Sequence, residues 1–167
     1  MKLVIIRHGA AGDREEWEAE GRDDRLRPLT PEGKKEMRQA APGLARLVPT
    51  MHVLATSPLT RAAETAEIIA REYDAKVVTL EALAPDNDPA EIVGWLRDQP
   101  PDQTIGVVGH EPQLSTLAGY LLTEKRRSII DLKKGGACRL DLPGAPKPGD
   151  GILEWLLAPR ELRRLGK

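Results

Sequence analysis

The sequence predicts an α/β fold, a three-layer sandwich with a mostly parallel central sheet and an antiparallel edge, on three observations. The first strand-like run, "LVII" from Leu3 to Ile6, is continuously apolar rather than alternating, as strands buried on both faces are. Aromatic residues make up only 3% of the 167 residues and Phe is absent, so the core must come from Leu, Val, Ile and Ala. Finally, strand and helix signals alternate along most of the chain.

Each element has its own signal. Lys2 to Ile6 reads as a strand, and the polar stretch from Ala11 to Arg27, broken by Gly12 and Gly21 and followed by Pro28, reads as a long surface loop. Thr30-Pro31 supplies an N-cap and a proline at the first helical position. The helix so opened runs to about Leu47 with Met37, Ala40, Ala41, Leu44 and Leu47 on one face, and Pro42-Gly43 marks a place to bend. "HVLATS" is a second strand, Ala62 to Tyr73 a helix, and "KVVTL" from Lys76 a third strand. Asp88-Pro89 opens another helix ending near Asp98, "TIGVVGH" is a fourth strand, and Pro112 to Leu122 carries a helical stripe of Leu114, Leu117, Ala118 and Leu121. "ACRLDL" and "ILEWLL", joined by a Pro/Gly-rich link, suggest the antiparallel pair, and Pro159 to Leu165 a short basic helix. No repeat or linker interrupts this order, so one domain spanning residues 1–167 is expected.

Composition excludes several classes of function. With 25 basic against 26 acidic residues, no overall field draws the chain to nucleic acid or to an anionic membrane. Cys138 is the only cysteine, which rules out an internal disulfide and fits a reducing compartment; without a signal-like or membrane-length apolar run, a cytoplasmic location is expected. The three histidines are far apart, no His-x-x-x-His or Cys-x-x-Cys occurs, and nearby arginines would repel a cation, so neither a metal nor another cofactor is expected. The basic groups Lys125-Arg126-Arg127, Lys133-Lys134 and Arg160, Arg163, Arg164 are candidates for a docking patch, with solvated surface charge as the commoner explanation.

In open α/β sheets, ligands sit beyond the carboxyl ends of parallel strands. Here Arg7-His8-Gly9 follows the first strand, Ser57-Pro58 with Arg61 the second, Glu81 the third and Gly109-His110-Glu111 the fourth. Taken singly, each has a plain alternative: a loop tripeptide, a helix-surface cation, a histidine satisfied at a helix entry. Joint placement at the strand ends is what those alternatives explain poorly. His52, at the start of a strand and without cationic neighbours, reads as structural. Two guanidiniums about 4 Å apart repel by roughly 4 kcal/mol at an effective dielectric near 20, unless an anion joins them. A phosphoryl group fits that requirement, since a guanidinium matches two of its oxygens and a neutral histidine can attack in line.

These motifs together resemble the histidine phosphatase superfamily, with its phosphoglycerate mutase-like fold. "RHG", "SPLTRAAETAEII" and "GHEP" fall in that family's order, and "RPLTPEGKKEM" resembles the stretch before its first helix. Within the superfamily, the short length and the "LKKGGACRLDL … LEWLLAP" tail look most like the SixA phosphohistidine phosphatases. The resemblance implies that His8 becomes phosphorylated and that Arg7, Arg61 and His110 hold the phosphoryl oxygens. The two arginines are expected to keep His8 neutral. Glu81 lies where many members carry a proton donor, but "LEALAPDND" departs from the family pattern, so Asp86 and Glu111 stand as alternatives. Between Leu80 and Thr104 there is room for one helix only, so no inserted lid domain is expected and the pocket should be open. An open pocket and a weak acid favour phosphohistidine on a protein, for instance a histidine-phosphotransfer domain. The alternatives are a phosphatase of a small phosphorylated metabolite, with mutase activity disfavoured by the missing lid, and a phosphate-binding module without catalysis.

Overall fold

The computed structural model describes residues Met1–Lys167. Its elements are, in order, β1 (Lys2–Arg7), α1 (Arg14–Ala19), α2 (Pro31–Leu47), β2 (Val53–Thr56), α3 (Thr60–Ala70), β3 (Lys76–Thr79), α4 (Pro89–Arg97), β4 (Thr104–Gly109), α5 (Gln113–Thr123), β5 (Ala137–Asp141), β6 (Ile152–Leu157) and α6 (Pro159–Leu165). Short 3-10 turns lie at Asp24–Leu26 and Glu81–Leu83. The six strands form one sheet in the order β3-β2-β4-β1-β5-β6. The β3–β2, β2–β4 and β4–β1 pairs are parallel, and β5 and β6 add antiparallel at the edge. This is the expected three-layer architecture.

The continuous apolar run in β1 is divided between two cores by the two-residue period of a strand. Leu3 and Ile5 face the layer that includes Ile92 and Leu96 of α4 and Leu114 and Leu117 of α5, whereas Val4 and Ile6 face Met37 and Leu44 of α2, Ala66 and Ile69 of α3 and Leu162 of α6. All are buried. Burial of a Leu or Ile side chain is worth about 1.5–3 kcal/mol, so β1 is anchored from both sides.

The predicted helix caps are made. The Thr30 side chain accepts from the Gly33 N–H at 2.9 Å, and the Asp88 side chain from the Ala90 N–H at 2.9 Å. Helix α2 runs through Pro42 and Gly43 to Leu47. A Cβ at Gly43 would collide with the Leu162 carbonyl, so glycine is there to let α6 lie directly on α2. One element went unforeseen: α1 lies inside the stretch expected to be loop. It is capped by Asp13, whose side chain accepts from the Glu16 N–H at 2.9 Å, but buries no residue, so no apolar periodicity marks it. Only α4 and the Glu81–Leu83 turn separate β3 from β4, leaving no inserted lid domain. No helix is long and apolar enough to cross a membrane.

Candidate active site

Parallel pairing aligns the ends of three strands. Arg7 sits opposite Gly109 in the β1–β4 register, and Thr56 opposite Val108 in the β2–β4 register. The ladder continues past the strand ends, with His8 N–H donating to the Gly109 carbonyl at 3.1 Å and Ser57 N–H to the Val108 carbonyl at 2.9 Å. Arg7, His8, Arg61 and His110 therefore line one cleft of about 800 Å³. The His8 and His110 ring centroids are 5.0 Å apart, the rings inclined at 57°.

The His8 ring is 7% exposed, and its Nδ1 lies 2.7 Å from the Gly9 carbonyl. A carbonyl only accepts, so the neutral ring carries its hydrogen on Nδ1 and keeps a lone pair on Nε2. Burial pushes the His8 pKa down to about 3; the Gly9 hydrogen bond opposes this, and the charges of Arg61, Arg7 and Lys134 add to it. Neutrality at His8 is thus owed to burial first and only second to the arginines invoked from the sequence. Burial, His8 and Arg61 likewise hold His110 at about 3.

Hydroxyls support these rings and guanidiniums. The Ser57 Oγ lies 2.8 Å from His110 Nε2. Thr65 Oγ1 donates to the Arg61 carbonyl at 2.7 Å and accepts from the Gly9 N–H at 3.1 Å, which ties the first turns of α3 to the loop after His8. On the other side, Gly33 touches this loop so closely that a Cβ would overlap the Ala10 carbonyl oxygen. Arg61, a plausible surface cation from sequence, is only 5% exposed and shares the buried face of α3 with Ala62, Thr65, Ala66 and Ile69.

Six cations line the cleft: Arg7, Arg14, Arg25, Arg27, Arg61 and Lys134. Most are already engaged. Arg14 pairs with Glu18, Arg25 with Glu81, and both Arg27 and Arg61 with Asp24. Arg7 Nη1 donates to the Leu132 carbonyl at 3.0 Å, while Lys134 has no ion pair. Three buried nitrogens of the central residues lack any partner: Arg7 Nε, Arg61 Nε and His110 Nδ1. A buried polar atom without a partner costs about 1–3 kcal/mol, so these three nitrogens stand out against the satisfied groups around them.

The structure does not bring Glu81 into this cup. Ala82 and Leu83 turn into the core, so the Glu81 side chain faces solvent at 68% exposure, 3.5 Å from Arg25. Asp86 and Glu111 do line the cleft; Glu111 Oε1 accepts from the Ser115 N–H at 2.9 Å, and Asp86 adopts a left-handed backbone with φ of 71°. His52 Nδ1 accepts from the Thr104 N–H at the opposite end of the sheet, and Cys138 is buried with its thiol pushed up by burial to about 12. No group of three or more His, Cys, Asp or Glu is placed to hold a metal ion. The basic runs have separate surroundings, with Lys134 in the main cleft. Arg126 pairs with Asp88, Lys133 with Asp131, and Arg160, Arg163 and Arg164 border a separate cleft with Arg38. Sequence reasoning placed Ser57 at the rim but missed Asp24, Arg27 and Thr65 as members of the site; the signals present were the "RPLT" arginine and the second threonine of "SPLTRAAET".

The chain is 34% identical over 148 residues to an uncharacterised protein of Picosynechococcus sp., covering 82% of this chain and 87% of that protein. Its fold is similar to that of the protein histidine phosphatase SixA complexed with tungstate, with a TM-score of 0.80, 24% identity, and 97% and 99% of the two chains covered. It is also similar to a phosphoserine phosphatase mutant from Entamoeba histolytica in complex with phosphoserine, with a TM-score of 0.69, 19% identity, and 96% and 98% covered. Residues 3–85, which include Arg7, His8, Arg61 and Glu81, match the model of the histidine phosphatase superfamily, branch 1. The chain belongs to the histidine phosphatase superfamily.

Proposed function

We propose that the protein is a phosphatase that passes a phosphoryl group from phosphohistidine on a protein to His8 and then to water. The observation that carries this reading is the His8 tautomer: the Gly9 carbonyl takes the Nδ1 hydrogen, so Nε2 keeps its lone pair inside a cup of buried N–H donors. In the first step the Nε2–P bond forms as the P–N bond of the substrate breaks; that bond's electrons return to the substrate ring, which carries a proton on its other nitrogen and leaves as neutral imidazole. In the second, a water oxygen bonds to phosphorus, the Nε2–P electrons return to His8, and the water's proton is released to solvent with phosphate. Arg7 and Arg61 would stabilise the charge on the phosphoryl oxygens through their free Nε–H groups. His110 would add a third donor. Its Nε2 can accept from the Ser57 hydroxyl, which puts the ring hydrogen on the unpartnered Nδ1.

Two features support a protein phosphohistidine over an ester. No inserted domain covers the cleft, and the carboxylates best placed by sequence are not free acids in the cup, since Glu81 pairs with Arg25 and Glu111 with the Ser115 N–H. The unphosphorylated nitrogen of a phosphohistidine ring takes a proton from solvent near neutral pH, so the ring leaves as neutral imidazole without an acid from the protein, whereas an alkoxide must be protonated as it departs. A small phosphate ester is the second reading, favoured by Asp86, which lines the cleft as a possible proton donor, and by the likeness to a phosphoserine phosphatase. Turnover of a phosphohistidine-bearing phosphotransfer domain, compared with phosphoserine and sugar phosphates, tests the choice. The expected preference is at least tenfold in kcat/KM for the phosphorylated domain, and a preference for the small esters would replace the first reading with the second. A related expectation is activity unaffected by chelator, because cations line the cup where a metal would have to sit.

A further inference from the structure

The cleft contains a carboxylate where an anion-binding site should avoid one. Asp24 lines the cleft, with its side chain 21% exposed, and makes contact with two buried arginines. Arg61 Nη1 donates to the Asp24 backbone carbonyl at 2.9 Å and Nη2 to Oδ2 at 3.1 Å. Arg27 Nε donates to Oδ1 at 2.8 Å, and Arg27 Nη1 to the Gly12 carbonyl at 2.6 Å. One residue thus engages both terminal nitrogens of Arg61, and each carboxylate oxygen holds a different arginine.

We propose that Asp24 is a positioning residue that aligns Arg61 for oxyanion binding, an inference that rests on the phosphoryl-transfer reading. Four observations favour alignment over a carboxylate that merely occupies the site until substrate displaces it. The backbone carbonyl shares in the grip, so withdrawal of the side chain alone would not free Arg61. Arg27, itself tied to Gly12, holds the second oxygen, so the carboxylate is fixed from both sides. The Asp24–Leu26 turn that carries it is closed by Asp23, whose side chain accepts from the Arg25 N–H at 2.9 Å. Lastly, Asp24 takes only the terminal nitrogens and leaves the buried Arg61 Nε–H without a partner, so one N–H of the guanidinium stays unspent for an anion.

Charge supports the same conclusion. Two guanidiniums against one carboxylate leave a net positive charge, so Asp24 reduces repulsion between buried arginines without abolishing attraction for an anion. A guanidinium fixed in advance binds without first ordering its side chain, which removes one entropic cost of association.

Tungstate binding, measured by titration calorimetry on wild type, Asp24→Asn, Asp24→Ala, Arg61→Lys and the Asp24→Asn/Arg61→Lys double variant, tests this directly. The expected results are binding about tenfold weaker for Asp24→Ala and less weakened for Asp24→Asn, with the double variant no worse than Arg61→Lys alone because both act through one group. In turnover, kcat should fall along with kcat/KM, a split that loss of substrate binding alone would not give. Unchanged or tighter tungstate binding in the Asp24 variants, or fully additive losses in the double variant, would overturn the role. Should Asp24→Ala fail to fold, the near-isosteric Asp24→Asn and the cycle decide. Wild type that binds no tungstate would overturn the phosphoryl reading itself, whereas wild type that binds while Asp24 proves irrelevant would overturn only the positioning role.

Discussion

Arg7, His8 and His110 stand at the tips of β1 and β4, where ladder hydrogen bonds fix the backbone and two cores grip the strands, whereas the facing wall, residues 11–29, has a single isolated bridge between Ala11 and Leu29. The wall is held instead by charge: Asp24 with Arg27 and Arg61, and Arg14 with Glu18. The two regions line the same cleft but divide the work. In the proposed mechanism the floor positions the reacting atoms on the rigid part of the fold, and the wall orients and screens the charges around them. Substitutions on the floor should therefore damage chemistry outright, and those on the wall should tune it.

The largest effect is expected at His8. His8→Ala should abolish the covalent phosphoenzyme and lower kcat by roughly 10³-fold or more; residual turnover through a phosphoenzyme would show that the floor does not supply the nucleophile. Next comes Arg61→Ala, which removes a buried donor where floor and wall meet. A loss of roughly 10²–10³-fold in kcat/KM is expected, the range for one oxyanion donor, and near-normal kinetics would take Arg61 out of the site.

Acid titration probes the floor as a whole. His8 and His110 are held near 3 in the folded chain against 6.5 for the free side chain, so between those values the unfolded state binds protons that the folded state does not. Stability should fall as pH drops from about 6.5 towards 3, with up to two protons taken up on unfolding. A denaturation series with a His8→Gln control measures it, and an identical slope in that control would contradict the assignment. The smallest effect is expected outside both regions, at Glu81, which touches the wall only through Arg25. Glu81→Gln should change kcat/KM by less than about twofold, because Glu81 meets only Arg25 at the surface, where such pairs contribute about 0–1 kcal/mol. A large loss would instead mean that Glu81 turns inward to donate a proton.

The same contrast explains what could be read in the sequence. The floor was legible because its signals are local and periodic: a continuous apolar run ending in Arg7-His8, a Thr30-Pro31 helix start, and polar residues following each parallel strand. The wall was not, because Asp24 and Arg61 are 37 residues apart and nothing periodic links them. Helix α1 escaped for the related reason that it buries nothing. Glu81 shows the limit of topology. Position after a strand brought it to the rim, but the burial of Ala82 and Leu83 decided which way its side chain would face. The cause of His8 neutrality also required the structure, since the neighbouring cations are visible in sequence and the extent of burial is not.

Phosphorus–nitrogen correlation NMR on the trapped phosphoenzyme, with histidine nitrogens labelled, tests the central claim most directly. The Nδ1–H bond to the Gly9 carbonyl requires phosphorus on Nε2 of His8, with the signal absent from His8→Ala. Phosphorus on Nδ1, or on any other residue, would contradict it.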